Sequence, residues 1–162
     1  MNSELITLLK DARLNRTSES IKLDYQKLFD LANQHQISAL IYNQIYNFDD
    51  FPEEIKQRWK RDALKINAFQ TRKTIKILQV YRQFLKQGLK VLIVKGLVCR
   101  SLYPQPDNRQ SNDEDLYVRK EESEAVKDIL LKNNFTVISE SGDVTTFIDP
   151  VSGSSIELHT AL

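Results

Sequence analysis

Asp113 and Asp115 stand two residues apart in the stretch Asn112-Asp113-Glu114-Asp115-Leu116-Tyr117-Val118. Leu116, Tyr117 and Val118 favour a pleated strand, and Arg119-Lys120-Glu121-Glu122 then opens a polar turn. Alternate side chains of a strand share a face, so the two aspartates point to one side and Glu114, Leu116 and Val118 to the other. Adjacent carboxylates repel each other unless a cation lies between them. A divalent metal is the usual cation, and oxygen-only ligands suit Mg²⁺, with Mn²⁺ the close substitute. In two-metal phosphoryl transfer such carboxylates hold ions about 3.5–4 Å apart. Taken alone, the same pair also describes a polar strand tip.

Two other stretches carry chemistry. Val91-Leu92-Ile93-Val94 reads as an apolar strand buried on both faces, and it ends in Lys95-Gly96. A glycine at a strand-to-helix corner lets backbone N–H groups approach an anion, and a helix N-terminus favours phosphate. Lys95 adds a point charge to such a corner. Near the C-terminus, Ser155-Ile156-Glu157-Leu158-His159 reads as a strand with Glu157 and His159 on one face.

These three pieces, in this order, resemble the nucleotidyltransferase superfamily typified by DNA polymerase beta. More narrowly, VLIVKGLVCRSLYPQPDNRQSNDEDLYV followed by IELH resembles an uncharacterised bacterial nucleotidyltransferase family with a Lys-Gly strand end and an Arg-x-x-x-Asp-x-Asp strand. The resemblance is specific over residues 90–160 and looser over the helical N-terminal half. It implies Mg²⁺- or Mn²⁺-dependent transfer of a nucleoside monophosphate from an NTP such as ATP. Asp113 and Asp115 match the family's metal-binding pair, and Glu157 matches the third acid, which completes the acceptor side. Lys95 and Gly96 match the triphosphate corner. Arg109 matches the family arginine, with two roles open: contacting phosphate, or tying the loop to a carboxylate. Ser111 either touches phosphate or caps the loop. His159 either orients the acceptor or a metal-bound water, or is a hydrogen-bonded strand-end histidine. Glu114 departs from the pattern, because the family usually has an apolar residue there. Either it sits at a frayed strand entry or it weakens the packing beneath the site.

The acceptor stays open among a small molecule such as an aminoglycoside, a protein side chain and an RNA end. A second reading keeps the fold but makes it a catalytically inactive module that binds nucleotide or a protein partner. The resemblance also implies further helices beyond Leu162, so the core is expected to be truncated at its C-terminus relative to the family.

The elements that must position these residues follow from periodicity. Helices are expected over 3–12, with Ser3 as cap, over 19–34, with Ile21, Tyr25, Leu28, Phe29 and Ala32 in a stripe, and over 37–46. Pro52-Glu53-Glu54 opens a long helix to about Leu85. Its expected buried stripe is Ile55, Trp59, Ala63, Ile66, Phe69, Ile75, Leu78, Tyr81 and Leu85. Gly88 suits the left-handed cap that ends it. The basic residues Lys56, Lys60, Arg61, Lys65, Arg72, Lys73 and Lys76 form either an RNA groove or, as favoured by the near-neutral chain, a solvated face. Beyond Gly88 come a helix over 97–103, a strand over 113–119, and a helix over 121–133 with Ala125, Ile129 and Leu130 inward. A hairpin of 135–139 and 144–148 and the strand 155–159 complete the pattern. Helices followed by a mixed sheet make the chain α+β. The expected division is a helical region over 1–88 and a nucleotidyltransferase-like core over 89–162.

The chain has 162 residues, with 23 basic against 22 acidic and a net charge of +1. That balance argues against a dedicated nucleic-acid binder. The lone Cys99 excludes an intrachain disulfide and a cysteine zinc site and suits a reducing cytoplasm. It is expected to be a small buried side chain. His35, in a helical joint, is expected at the surface or in packing. The start lacks a signal-peptide pattern, and no apolar run is long enough to span a membrane.

Overall fold

The computed structural model describes residues 2–19 and 22–161. Among these residues six α-helices and five strands appear in the order α1 (Asn2–Leu14), α2 (Tyr25–Gln34), α3 (Ser38–Ile45), α4 (Glu53–Lys86), β1 (Leu92–Ile93), α5 (Leu97–Arg100), β2 (Asp113–Tyr117), α6 (Ser123–Lys132), β3 (Thr136–Ser141), β4 (Val144–Ile148) and β5 (Ser155–His159). Helices and one five-stranded mixed sheet give the α+β class the sequence predicts. By contacts the chain forms two compact units. One comprises residues 1–70 and 100–110; the other comprises 71–99 and 111–162.

The first unit is helical. Its core joins Leu5 and Leu8 of α1, Leu28, Phe29 and Ala32 of α2, Ile41 and Ile45 of α3, and Trp59 of α4. Trp59 is fully buried, and its indole N–H donates to the Ser38 carbonyl at 3.0 Å, so the largest core side chain leaves no orphan donor. Helix α2 begins at Tyr25, later than the expected residue 19. Asp24 sets the start, because its carboxylate accepts the Lys27 N–H at 3.1 Å and satisfies one of the free amides of the first turn. Ile21, expected on the buried stripe, lies outside the described residues. Ser3 falls inside the first turn of α1 and does not precede it. Arg100 is buried in this unit, with Nη1 donating to the Gln70 side-chain oxygen at 3.0 Å and lying 3.8 Å from Asp107.

The long helix α4 has 34 residues, roughly 50 Å at about 1.5 Å per residue. Its first half buries Trp59 and Ala63 as expected. Its second half does not follow the expected stripe: Ile75, Leu78 and Leu85 are exposed, while Ile77, Val80 and Phe84 are buried. The inward line is Trp59, Ala63, Ile66, Gln70, Lys73, Ile77, Val80, Phe84, an unbroken alternation of four- and three-residue steps. It passes through two polar residues, Gln70 and Lys73, both at 0% exposure. A reading that follows apolar letters jumps stripes at that point. Lys73 and Lys76 thereby leave the expected basic face. Lys76 donates to the Asn133 carbonyl at 2.7 Å and lies 5.5 Å from the Phe135 ring centroid.

The second unit carries the sheet, ordered β1-β2-β5-β4-β3. β2 and β5 are parallel; the other neighbours are antiparallel. Its core joins Leu116, Val118, Phe147, Ile156 and Leu158 with Ile77, Val80 and Phe84 of α4 and Val126, Ile129 and Leu130 of α6. Val126 takes the inward place expected of Ala125, which is exposed. β1 corrects another expectation. It is a two-residue edge strand with Leu92 58% exposed, because one flank of it pairs with β2 and nothing in the sheet pairs with the other. Gly88 closes α4 with φ +72° as expected, and Gly142, at φ +57°, turns the β3–β4 hairpin.

Asp149 shapes the turn between β4 and β5. Its carboxylate accepts the Val151 N–H at 3.1 Å and the Ser152 hydroxyl at 2.7 Å, and Lys76 lies 3.8 Å away. Burial pulls its pKa upward, but the Ser152 and Val151 donors and the Lys76 charge outweigh it and leave the pKa below the ordinary 3.8. A depressed carboxylate stabilises the fold above its ordinary pKa, and the contribution disappears as pH falls through the lowered value. Below about pH 4, wild-type thermal stability should therefore drop more steeply than that of Asp149→Asn. Parallel melting profiles from pH 5 to pH 2.5 would remove this role.

Candidate active site

The acidic strand β2 lies inside the sheet, flanked by β1 and β5. Its parallel register with β5 sets Asp113 beside Ser155, Asp115 beside Glu157 and Tyr117 beside His159. Register partners share a face, so Asp113, Asp115, Glu157 and His159 occupy one side of the two strands. The other side carries Glu114, Leu116, Ile156 and Leu158, all buried. Strand alternation thus separates a polar face from a core face within five residues.

On the polar face the groups converge. Asp115, its side chain 6% exposed, has Oδ1 3.2 Å from His159 Nε2 and 3.3 Å from Lys95 Nζ. Glu157 Oε2 lies 3.6 Å from the same His159 nitrogen. One ligand atom from each of Asp115, Glu157 and His159 falls within 4.8 Å of the others. Two carboxylate oxygens and an imidazole nitrogen at such separations suit a divalent cation, and the nitrogen favours Mn²⁺ more than an all-oxygen set would. Asp113 shares the face, half-buried, but stands outside that group of three.

Lys95 reports the field of these acids. Its pKa is raised above 10.5, first by the hydrogen bond and charge of Asp115, then, against a smaller desolvation effect, by the charges of Asp113 and Glu157. The ammonium is drawn to the place where a metal ion would be attracted.

The corner after β1 holds the unexpected feature. Val94 N–H donates to the Asp115 carbonyl at 2.9 Å, which ties the corner to β2. Gly96 is buried with φ +58°, and a Cβ there would run into the carboxylate of Glu114. Glu114 accepts the Leu97 N–H at 2.6 Å and pairs with Lys73 at 3.3 Å, both side chains at 0% exposure. Lys73 donates further to the Ser111 carbonyl at 3.2 Å and hydroxyl at 3.3 Å. Three acceptors thus meet the three donors of the ammonium, which is how a buried charge is tolerated. Glu114 therefore neither frays the strand nor leaves a packing defect. Removing one partner of such a pair costs about 3–5 kcal/mol. The helix expected over 97–103 is the four-residue α5, too short for a full helix dipole at the corner.

Ser111 is buried and engaged by Lys73. Arg109 belongs to the first unit, its guanidinium 6.0 Å from the Tyr103 ring centroid. Cys99 is half-buried. His35 is exposed and belongs to the first unit. The residues that sequence reasoning missed are Lys73 and the structural part played by Glu114. The signal for Lys73 was its place in the four-three alternation of α4, hidden by its charge.

No helix among the described residues is long and apolar enough to cross a membrane. No curated protein and no solved structure matches the chain. A model of the family described as uncharacterised nucleotidyltransferase matches residues 22–162. The matched span takes in the whole sheet and every helix but the first, and the chain belongs to this family of nucleotidyltransferases.

Proposed function

We propose that this nucleotidyltransferase moves a nucleoside monophosphate from an NTP to an acceptor hydroxyl or amine, with Mg²⁺ or Mn²⁺ as cofactor. The observation that carries the proposal is the convergence of Asp115, Glu157 and His159 within 4.8 Å, with the Lys95 ammonium 3.3 Å from Asp115. Asp115 and Glu157 would hold the metal, with Asp113, on the same face but outside the observed group, as the further carboxylate that the family pattern supplies. When bound, the ion screens the triphosphate charge and orients it for in-line displacement.

The residues of the chain divide the remaining work. Lys95 exchanges its contact with Asp115 for the β- and γ-phosphate oxygens, where its charge meets the leaving group. Gly96 supplies the left-handed bend, φ +58°, that shapes the corner backbone on which the triphosphate would rest. Glu157 lies beside Asp115 on the acceptor side and takes the proton of the attacking group. His159, between the two acids, orients that group through Nε2. The acceptor oxygen or nitrogen bonds to the α-phosphorus, the bond from the α-phosphorus to its bridging oxygen breaks, and pyrophosphate leaves. Small molecules, protein side chains and RNA ends are the acceptor classes to be compared.

The test is thermal. NTP with Mg²⁺ at about 100 times its Kd should raise the melting temperature by roughly 5–10 °C. The shift should vanish in Asp113→Asn/Asp115→Asn, and pyrophosphate should appear with one acceptor class. Absence of any shift with all NTPs and either metal would remove the proposal. A shift without pyrophosphate for any acceptor would leave a nucleotide-binding module.

A further inference from the structure

We infer that the buried pair Lys73–Glu114 is a positioning device, fastening the Lys95–Gly96 corner to the strand that carries the acids; the inference rests on the reading of that corner as the triphosphate site. Glu114 lies between Asp113 and Asp115 in the chain, so the strand's pleat turns it to the opposite face. From there its carboxylate reaches the Leu97 N–H at 2.6 Å, the first amide beyond Gly96. The space a Gly96 side chain would need is the space this carboxylate fills. One strand thus presents the acids on its polar face and grips the neighbouring corner from its core face.

Lys73 makes this grip possible. A carboxylate buried behind a phosphate site would repel the phosphate. The Lys73 ammonium, 3.3 Å away, compensates the charge, and its bonds to Ser111 anchor the residue that leads into the acidic strand. Helix α4, the corner and the entry to β2 are therefore joined through two side chains. Phosphoryl transfer depends on alignment, and misplacement by about 1 Å can cost on the order of 100-fold in rate. Lys73 and Glu114 act through the corner and not on the reacting atoms, which makes them positioning residues.

The test separates positioning from mere stability. Glu114→Ala alone strands a buried ammonium and should melt about 10 °C lower or fail to fold. The double variant Lys73→Met/Glu114→Leu removes both charges and fills the space with apolar atoms, so it should fold, as replaced buried ion pairs commonly do. In this double variant the Leu97 amide should exchange with solvent at least about 10-fold faster, because its acceptor is gone. The KM for NTP should rise about 10-fold or more, while Mn²⁺ affinity, held by the untouched acids, stays within about twofold. Wild-type KM in the folded double variant, or unchanged Leu97 exchange, would overturn the positioning role alone. A wild-type protein that neither binds nor turns over nucleotide would overturn both this inference and the transfer reading beneath it.

Discussion

Gly96→Ala should destabilise the protein far more than Gly88→Ala, although both glycines hold left-handed backbone, with φ +58° and φ +72°. A non-glycine residue in that region costs about 1–2 kcal/mol. At Gly88 nothing lies within 4 Å of an added Cβ, so the loss should stop there. At Gly96 the Cβ meets the Glu114 carboxylate, which cannot swing away. Its oxygens are held by Leu97 N–H and by Lys73, and the side chain has 0% exposure. Overpacking of that kind adds about 1–3 kcal/mol. The total, roughly 2–5 kcal/mol, corresponds to a fall of about 10 °C in Tm, against about 4 °C for Gly88→Ala. Thermal melts of the two variants side by side check it. Equal losses would mean that the Glu114 contact does not constrain the corner.

Asp115→Asn should abolish nucleotidyl transfer while leaving the protein folded. Asp115 is the hub of the proposed site, with His159 at 3.2 Å and Lys95 at 3.3 Å from the same oxygen. The amide keeps the shape but gives up the charge that would hold a divalent ion. Changing a residue that merely supports a metal ligand costs about 10–100-fold, so a direct ligand should cost about 100-fold or more in kcat/KM. Mn²⁺ titration should show the same loss of affinity without any acceptor present. His159→Ala should cost less, about 10-fold, because an oriented water can replace its nitrogen. Pyrophosphate release and metal binding measured on both variants decide the order. An Asp115→Asn enzyme of near wild-type rate would sink the site as described.

Some of this was open to a reader of the sequence. The Asp-x-Asp alternation on a strand, the apolar run ending in Lys-Gly, and the acid on the last strand are local patterns, and strand period alone assigns their faces. The glycine cap at Gly88 and the glycine turn at Gly142 are similarly local, since only glycine adopts those angles at little cost. Pro52-Glu53-Glu54 marked where α4 starts, one residue from its observed beginning at Glu53.

What the sequence determined by itself was therefore the types of the elements and, within the strands, the residues that share a face. What only the tertiary structure decided was which elements meet. No local rule sets Asp115 beside Glu157, because that register is fixed by sheet pairing across more than one intervening element. Nor does one assign Lys73 to the interior. Its charge argues for solvent, and it is overruled only because Glu114, far along the chain, brings an opposite charge and Ser111 two further acceptors to the same point. A buried ion pair has two halves, and each half read alone looks like a residue in the wrong place.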